Sequence, residues 1–386
     1  MPIRFYSLTV DEIRDETPDA YSIFLQPPSD APAAFAYRAG QYLTVRRDIA
    51  GEDVRRALSL ASSPGLDARL RLTIKRVPGG QLSNHLRDTL QVGDALEVMP
   101  PMGQFVLYPQ PEAHHHYLLI GAGSGITPLY SLLRTALAEE PRSQVSLWYG
   151  NRNQASIIFG EELHALGAQY PDRLEVVHVL SQPEAGWAGY TGRLDQARIY
   201  DLVSEVFMTS EGHKQYYLCG PTGLMEAAEA ALEVHAVNFA NVHREHYHAP
   251  LPSDEDLAAQ EVADQEAGLE ADTLGEVRVA ANGQSQAPIG RYEAVPREVT
   301  VHLDGQAHAV SVSPDQPILQ AAINAELSPP YSCLSGVCTS CRARLQHGAV
   351  TMKVALGLSD EDLQAQYILT CQALPLTDGV VVSYDE

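Results

Sequence analysis

Residues 117–128 read YLLIGAGSGITP. A strand-like apolar run, YLLIG, passes into a glycine-rich turn and then into a helical pattern, PLYSLLRTALAEE at 128–140. A turn of this kind exposes backbone N–H groups at a helix N-terminus, where a pyrophosphate can be held. It departs from the G-x-G-x-x-G fingerprint, because Ile126 stands where the last glycine would be. Taken alone, its usual reading is a structural loop.

The strand-then-helix rhythm continues C-terminally: QVSLWYG (144–150) and FGEELHALGAQY (159–170), LEVVHVLS (174–181) and LDQARIYDLVSEV (194–206), QYYLCG (215–220) and TGLMEAAEAALEVHA (222–236). Such alternation builds a parallel sheet with helices on both faces, so 113–248 reads as an α/β domain. N-terminal to it the runs are short and alternating, YSIFLQ, QYLTVRR, RLRLTIKR and DALEVMP, broken by PGG, VGD and PMG turns. That spacing suits a small antiparallel β-barrel over 1–112.

Beyond residue 248 the composition shifts. Between Ala249 and Val277 there is no Lys or Arg, while Asp254, Glu255, Asp256, Glu261, Asp264, Glu266, Glu270, Asp272 and Glu276 accumulate with few large apolar residues. This reads as an acidic linker over 249–295, with a capping-type helix start at Ser253. Strand patterns REVTVHLDG and AHAVSVS, a helix-like PILQAAINAEL and a closing GVVVSY then suit a compact α+β domain over 296–386. The fold class expected is therefore multidomain: barrel, parallel α/β sheet and small α+β domain.

The chain has 386 residues, 45% of them hydrophobic, and a formal net charge of -23. That length suits two or three domains, and so acidic a surface argues against nucleic acid as a partner. The charge reads as solubility or as a docking face for a basic protein. The first residues lack a secretion signal and no apolar run approaches membrane-spanning length, so a cytoplasmic protein with no membrane partner is expected.

Four of the five cysteines fall near the C-terminus, as Cys333, Cys338, Cys341 and Cys371 in a C-x4-C-x2-C arrangement with a distant fourth. Without a secretion signal they point to metal or redox chemistry rather than disulfides. A tight loop of three thiolates closed by a fourth suits a 2Fe-2S cluster. Structural zinc, the alternative, usually comes with two short cysteine pairs. Over 297–386 the chain resembles plant-type ferredoxins, which implies a β-grasp fold and a one-electron carrier at about -400 mV.

The upstream region resembles the ferredoxin–NADP reductase superfamily. The resemblance rests on RAGQY (38–42), RRALSLASS (55–63), IKRVPGGQLSNHL (74–86), GAGSGITP (121–128) and YLCGPTGLM (217–225), in that order. It implies FAD held by Arg56, Ala57, Leu58, Ser59, Ile74 and Lys75, with Gly80, Gln81, Leu82 and Ser83 meeting its phosphates through backbone amides. NADPH, with NADH as the alternative, would lie on Gly121, Gly123, Ser124, Gly125, Thr127 and Pro128. Its remaining contacts would be Asn151, Arg152 and Ser181 at the ribose, and Cys219, Gly220 and Pro221 at the nicotinamide. Ser59, Cys219 and Glu245 are the catalytic residues implied, and Tyr247, in HREHYHAP, would close the flavin site. Arg56 or Ser83 in isolation reads as an ordinary surface or turn residue, and Cys219 as a buried small hydrophobe. Leu58 stands where the family usually has a stacking tyrosine. The histidines at 114–116 and at 243, 246 and 248 lack metal-ligand spacing and read as structural. At the ribose, Asn151 and Arg152 replace the acid of an NAD-selective site, which leans toward NADPH.

Reductase first and ferredoxin last resembles the reductase components of multicomponent oxygenases, and within them the reductase subunits of phenylacetyl-CoA epoxidases, on YGNR, SGITP and YILTCQALPLT. That resemblance implies NAD(P)H as electron source and a di-iron oxygenase as acceptor. A Rieske-type or steroid-hydroxylating oxygenase is the alternative partner, and a redox sensor without turnover the alternative class.

Overall fold

The computed structural model describes residues 4–28, 31–209, 212–246, 277–281 and 295–385. They belong to two units, Arg4–Tyr247 and His248–Glu386. No helix among the described residues is long and apolar enough to cross a membrane.

The first unit opens with strands β1 (Tyr6–Thr17), β2 (Ala20–Leu25), β3 (Tyr42–Ile49), β4 (Glu52–Ser59), β5 (Leu70–Lys75) and β6 (Ala95–Val98), and one helix, α1 (Gln81–Thr89). The strands form a sheet in the order β4-β3-β6-β1-β2-β5, antiparallel throughout. In β1 the period-2 pattern sends Leu8 and Val10 inward and Ser7 and Thr9 outward. Just past β4, Leu60 bridges to Leu72 of β5, which brings the two edges of the sheet together into a barrel. Leu8, Val10, Ile23, Leu43, Val45, Leu72 and Leu96 fill it, each worth about 1.5–3 kcal/mol of burial. Thr17 pairs with Ala20, so Pro18 and Asp19 form the tip of a two-residue hairpin.

The second half of this unit alternates β7 (His115–Ala122), α2 (Ile126–Glu139), β8 (Gln144–Asn151), α3 (Gly160–Gln169), β9 (Leu174–Leu180), β10 (Tyr190–Thr191), α4 (Gln196–Thr209), β11 (His213–Gly220), α5 (Thr222–Val234) and β12 (Val242–His246). All six strands are parallel, in the order β10-β9-β8-β7-β11-β12. One face packs on α2 and α3 through Leu119, Leu147, Leu129, Leu133 and Leu163. The other packs on α4 and α5 through Ile120, Trp148, Ile199, Leu202, Leu224 and Ala228. The strand order reverses between β7 and β11, so their C-terminal ends form the crevice where such sheets take ligands.

Polar contacts fix the barrel against the sheet. Ser131 Oγ donates to the Ser62 carbonyl at 2.6 Å, and Arg134 reaches both oxygens of Asp67 at 2.6 and 3.0 Å. Arg71, on β5, joins Glu16 of the barrel at 2.7 Å to Glu162 of α3 at 2.9 Å. His116, on β7, bonds Ser146 at 2.9 Å, and His243, on β12, stacks on Tyr217 at 4.4 Å. His248 lies outside the described residues.

The C-terminal unit contains β13 (Val277–Ala280), β14 (Arg297–Leu303), β15 (Gln306–Val312), α6 (Ile318–Asn324), β16 (Arg342–His347), β17 (Ala349–Met352), α7 (Asp360–Gln364), β18 (Tyr367–Leu369), β19 (Ala373–Pro375) and β20 (Val380–Ser383). A five-stranded sheet, β15-β14-β20-β16-β18, has β14 and β20 parallel and packs with α6 around Val299, Val301, Ile318, Leu345 and Val382. A three-stranded sheet runs β13-β17-β19. Strand β13 differs from the sequence reading, which carries the acidic linker through to residue 295. Val277 and Val279 alternate, Val279 is buried, and the segment pairs antiparallel with β17. The proposed helix start at Ser253 lies outside the described residues.

Candidate functional site

The glycine turn sits where strand and helix meet at the reversal point. Gly123–Gly125 forms a single 3-10 turn between β7 and α2, with Gly123 at φ 55°. Tyr149, fully buried, donates its hydroxyl to the Gly123 carbonyl at 2.8 Å, and Thr127 Oγ1 donates to the Ser124 carbonyl at 2.8 Å. A Cβ on Gly125 would stand 2.0 Å from the Cys219 carbonyl oxygen. The glycine is therefore what lets the turn press against the end of β11.

Three polar side chains converge beside it. Glu245 of β12 is in register with Cys219 of β11. Ser59, at the end of β4, donates to Glu245 Oε2 at 3.0 Å, and the Cys219 thiol lies 3.9 Å from the same oxygen. Burial pushes the Glu245 carboxyl up from 4.5 to about 7, while the hydrogen bonds from Ser59 and Cys219 pull it down. Cys219 and Ser59 are buried. Glu245 thus lies on the final strand of the sheet with its carboxylate turned to Ser59 and Cys219. Tyr247 lies outside the described residues.

At the end of β8, the buried Asn151 amide has no hydrogen-bond geometry to a partner among the described residues, with Tyr149 its near neighbour. Ser181 and Gln182 follow β9 and donate backbone N–H groups to the carbonyls of Asn151 and Arg152 at 3.0 and 2.7 Å. The Arg152 guanidinium pairs with Asp19 Oδ2 at 2.8 Å, and Lys75 Nζ lies 3.5 Å from the same oxygen.

Of the expected flavin residues, Arg56 is exposed and donates to the Arg55 carbonyl at 2.7 Å. Ala57 pairs with Thr44 of β3, and Leu58 packs partly against the barrel core. The side chains of Ile74 and Leu82 point into that core. Gly80 precedes α1, and Asn84 Nδ2 donates to the carbonyls of Val77 and Gly80 at 2.9 and 2.8 Å, fixing the 77–84 loop. Gln81 is exposed at the first position of the helix, while Ser83 Oγ accepts from the Val77 N–H at 3.3 Å.

In the C-terminal unit, Cys333, Cys338 and Cys341 lie on one loop and Cys371 just past β18. Cys333 Sγ accepts backbone N–H groups from Ser335 and Cys338, each at 3.4 Å. The Cys338 thiol and these donors hold Cys333 well below the ordinary thiol range. Cys341 and Cys371 face one another, and that contact together with burial pushes Cys341 up. Gly336 has φ 78°, and a Cβ there would meet the Val354 carbonyl at 2.5 Å. Thr370 Oγ1 donates to the Cys341 carbonyl at 2.9 Å, tying the fourth cysteine's segment to the loop.

Models of three families match the chain: an oxidoreductase FAD-binding domain over 8–107, an oxidoreductase NAD-binding domain over 119–230 and a 2Fe-2S iron-sulfur cluster binding domain over 301–376. One of the subunits of the 1,2-phenylacetyl-CoA epoxidase of Escherichia coli K12 is 33% identical, covering 99% of this chain and 98% of the relative. The chain belongs to the ferredoxin-reductase-type family of FAD-, NAD- and 2Fe-2S-binding oxidoreductases. The ferredoxin reductase component of the 3-ketosteroid-9-alpha-monooxygenase of Rhodococcus rhodochrous is 36% identical, over 98% of this chain and 96% of that one. Phthalate dioxygenase reductase shares the fold, with a TM-score of 0.55 at 23% identity and 98% coverage of each chain.

The reductase carries residues that fit these groups. Four thiols with inward-turned N–H donors suit a cluster, and the buried Ser332 hydroxyl beside Cys333 has no partner among the described residues. The buried, unpartnered Asn151 amide at the end of β8 suits a nucleotide. Sequence reasoning missed Asp19, Arg71 and Tyr149. Arg152 and Asp19 lie 133 positions apart, and no local pattern announces such a pair.

Proposed function

We propose that this reductase takes electrons from NADPH and passes them singly to an oxygenase, the di-iron phenylacetyl-CoA epoxidase being the partner. When bound, FAD supplies the exchange between the two-electron nicotinamide and the one-electron cluster. The observation that carries the reading is the convergence of Ser59, Cys219 and Glu245 at the reversal point, beside the glycine turn.

In this reading Ser59 and Cys219 flank the reacting rings, and Glu245 positions both through Oε2, which accepts from the Ser59 hydroxyl and lies against the Cys219 thiol. Arg56 and the amides of Gly80–Ser83 hold the flavin diphosphate. The turn from Gly121 to Pro128 holds the nicotinamide dinucleotide, and Asn151, Arg152 and Ser181 meet its ribose. Cys333, Cys338, Cys341 and Cys371 ligate the cluster. Residues 1–112, 113–248 and 296–386 serve as flavin, nucleotide and ferredoxin domains.

A second partner is favoured by the 36% identity to the ketosteroid monooxygenase component. Reconstitution separates the two. The purified chain with NADPH is expected to drive turnover of phenylacetyl-CoA by the epoxidase component; turnover only with the ketosteroid oxygenase would overturn the first assignment.

A further inference from the structure

Asp19 stands at the tip of a barrel hairpin, and its carboxylate reaches across to the end of β8. There Oδ2 takes the Arg152 guanidinium at 2.8 Å and lies 3.5 Å from Lys75 Nζ. Its other oxygen accepts from Thr17 Oγ1 at 2.9 Å, and its carbonyl accepts the Arg76 N–H at 2.7 Å, so the hairpin holds it in place. Lys75 Nζ would stand 3.9 Å from a Cβ on Gly123, which puts this cation beside the glycine turn. The Asp19 charge is also felt at Tyr149, whose hydroxyl holds that turn.

We propose that Asp19 is a specificity-determining residue, which sets how strongly the site prefers a 2′-phosphorylated nucleotide by occupying Arg152. The inference rests on the reading that the adenosine ribose lies at the end of β8. A 2′-phosphate brings up to about two negative charges. It must draw Arg152 away from Asp19 and also meet the field of that carboxylate, whereas a 2′-hydroxyl does neither. Arg152 supplies the attraction and Asp19 tempers it, so the chain discriminates less sharply than a free guanidinium would allow. The two residues sit 133 positions apart and on separate halves of the unit, which makes the hairpin tip part of the nucleotide site.

The test is a calorimetric titration of the full-length holoprotein with 2′,5′-ADP and with 5′-AMP, joined to KM values for NADPH and NADH with ferricyanide as acceptor. Asp19→Asn keeps a side chain that can accept from Thr17 and removes the charge; Asp19→Ser serves as a second variant should the hairpin not tolerate Asn. Either is expected to tighten 2′,5′-ADP about three- to tenfold more than 5′-AMP and to raise the NADPH-over-NADH ratio of kcat/KM by the same factor. Adding Arg152→Gln is expected to shrink the gain to the smaller part owed to the Asp19 field alone. If Arg152→Gln weakens 2′,5′-ADP but Asp19→Asn leaves the ratio unchanged, the role of Asp19 is overturned while the ribose placement stands. If neither substitution moves the ratio, the ribose placement falls as well.

Discussion

Glu245 is expected to set the pH behaviour of the proposed site. Its carboxyl, at about 7 in the fold against 4.5 ordinarily, keeps its proton more tightly folded than unfolded. The stability this gives is complete below about 4.5 and is lost as pH rises through about 7. Glu245→Gln keeps a neutral side chain throughout. Its stability relative to wild type is therefore expected to rise by about 1–3 kcal/mol between about pH 5 and pH 8, as read from denaturant unfolding at each pH. An equal difference at both pH values would show that no proton resides there. Ser59, Cys219 and Glu245 were legible in the sequence because each belongs to a short motif of the reductase superfamily. The charge partners of such residues were not: Asp19 is one acid among many until the hairpin carries it to Arg152.

Elements were legible where their pattern is long. The strands and helices from β7 to α5 follow from alternating apolar runs and amphipathic stretches, and the barrel strands from short periodic runs punctuated by turns. Helix α1 was hidden behind the PGG turn, and β13 is only four residues inside an acidic stretch. The packing of the glycine turn on β11 is the elemental contact that shapes the nucleotide site. Gly125→Ala puts a Cβ 2.0 Å from the Cys219 carbonyl. It is expected to cost about 1–3 kcal/mol in denaturant unfolding and to weaken NADPH binding at least about tenfold. Gly167→Ala in α3, where a Cβ meets nothing within 4 Å, is the control. It is expected to stabilise the chain by about 0.5–1 kcal/mol. Equal effects at the two positions would mean the turn does not press on β11.

At the scale of the whole molecule, the order of flavin, nucleotide and cluster regions was readable because each is announced by local residues, GAGSGITP, RRALSLASS and the four cysteines. The matching family models fall in the same order. The residues that fasten the barrel to the sheet, Arg71 with Glu162 and Arg134 with Asp67, carry no such announcement. They draw their meaning from a junction that only folding creates. The central claim, a chain that moves electrons from a nicotinamide to an iron-sulfur cluster, is most directly tested by anaerobic titration of the purified protein with NADPH, followed by visible absorption alongside iron, zinc and flavin analysis. The account predicts about two irons per flavin, with flavin bleaching followed by loss of the cluster bands. Zinc in place of iron, or a flavin that stays oxidised, would contradict it.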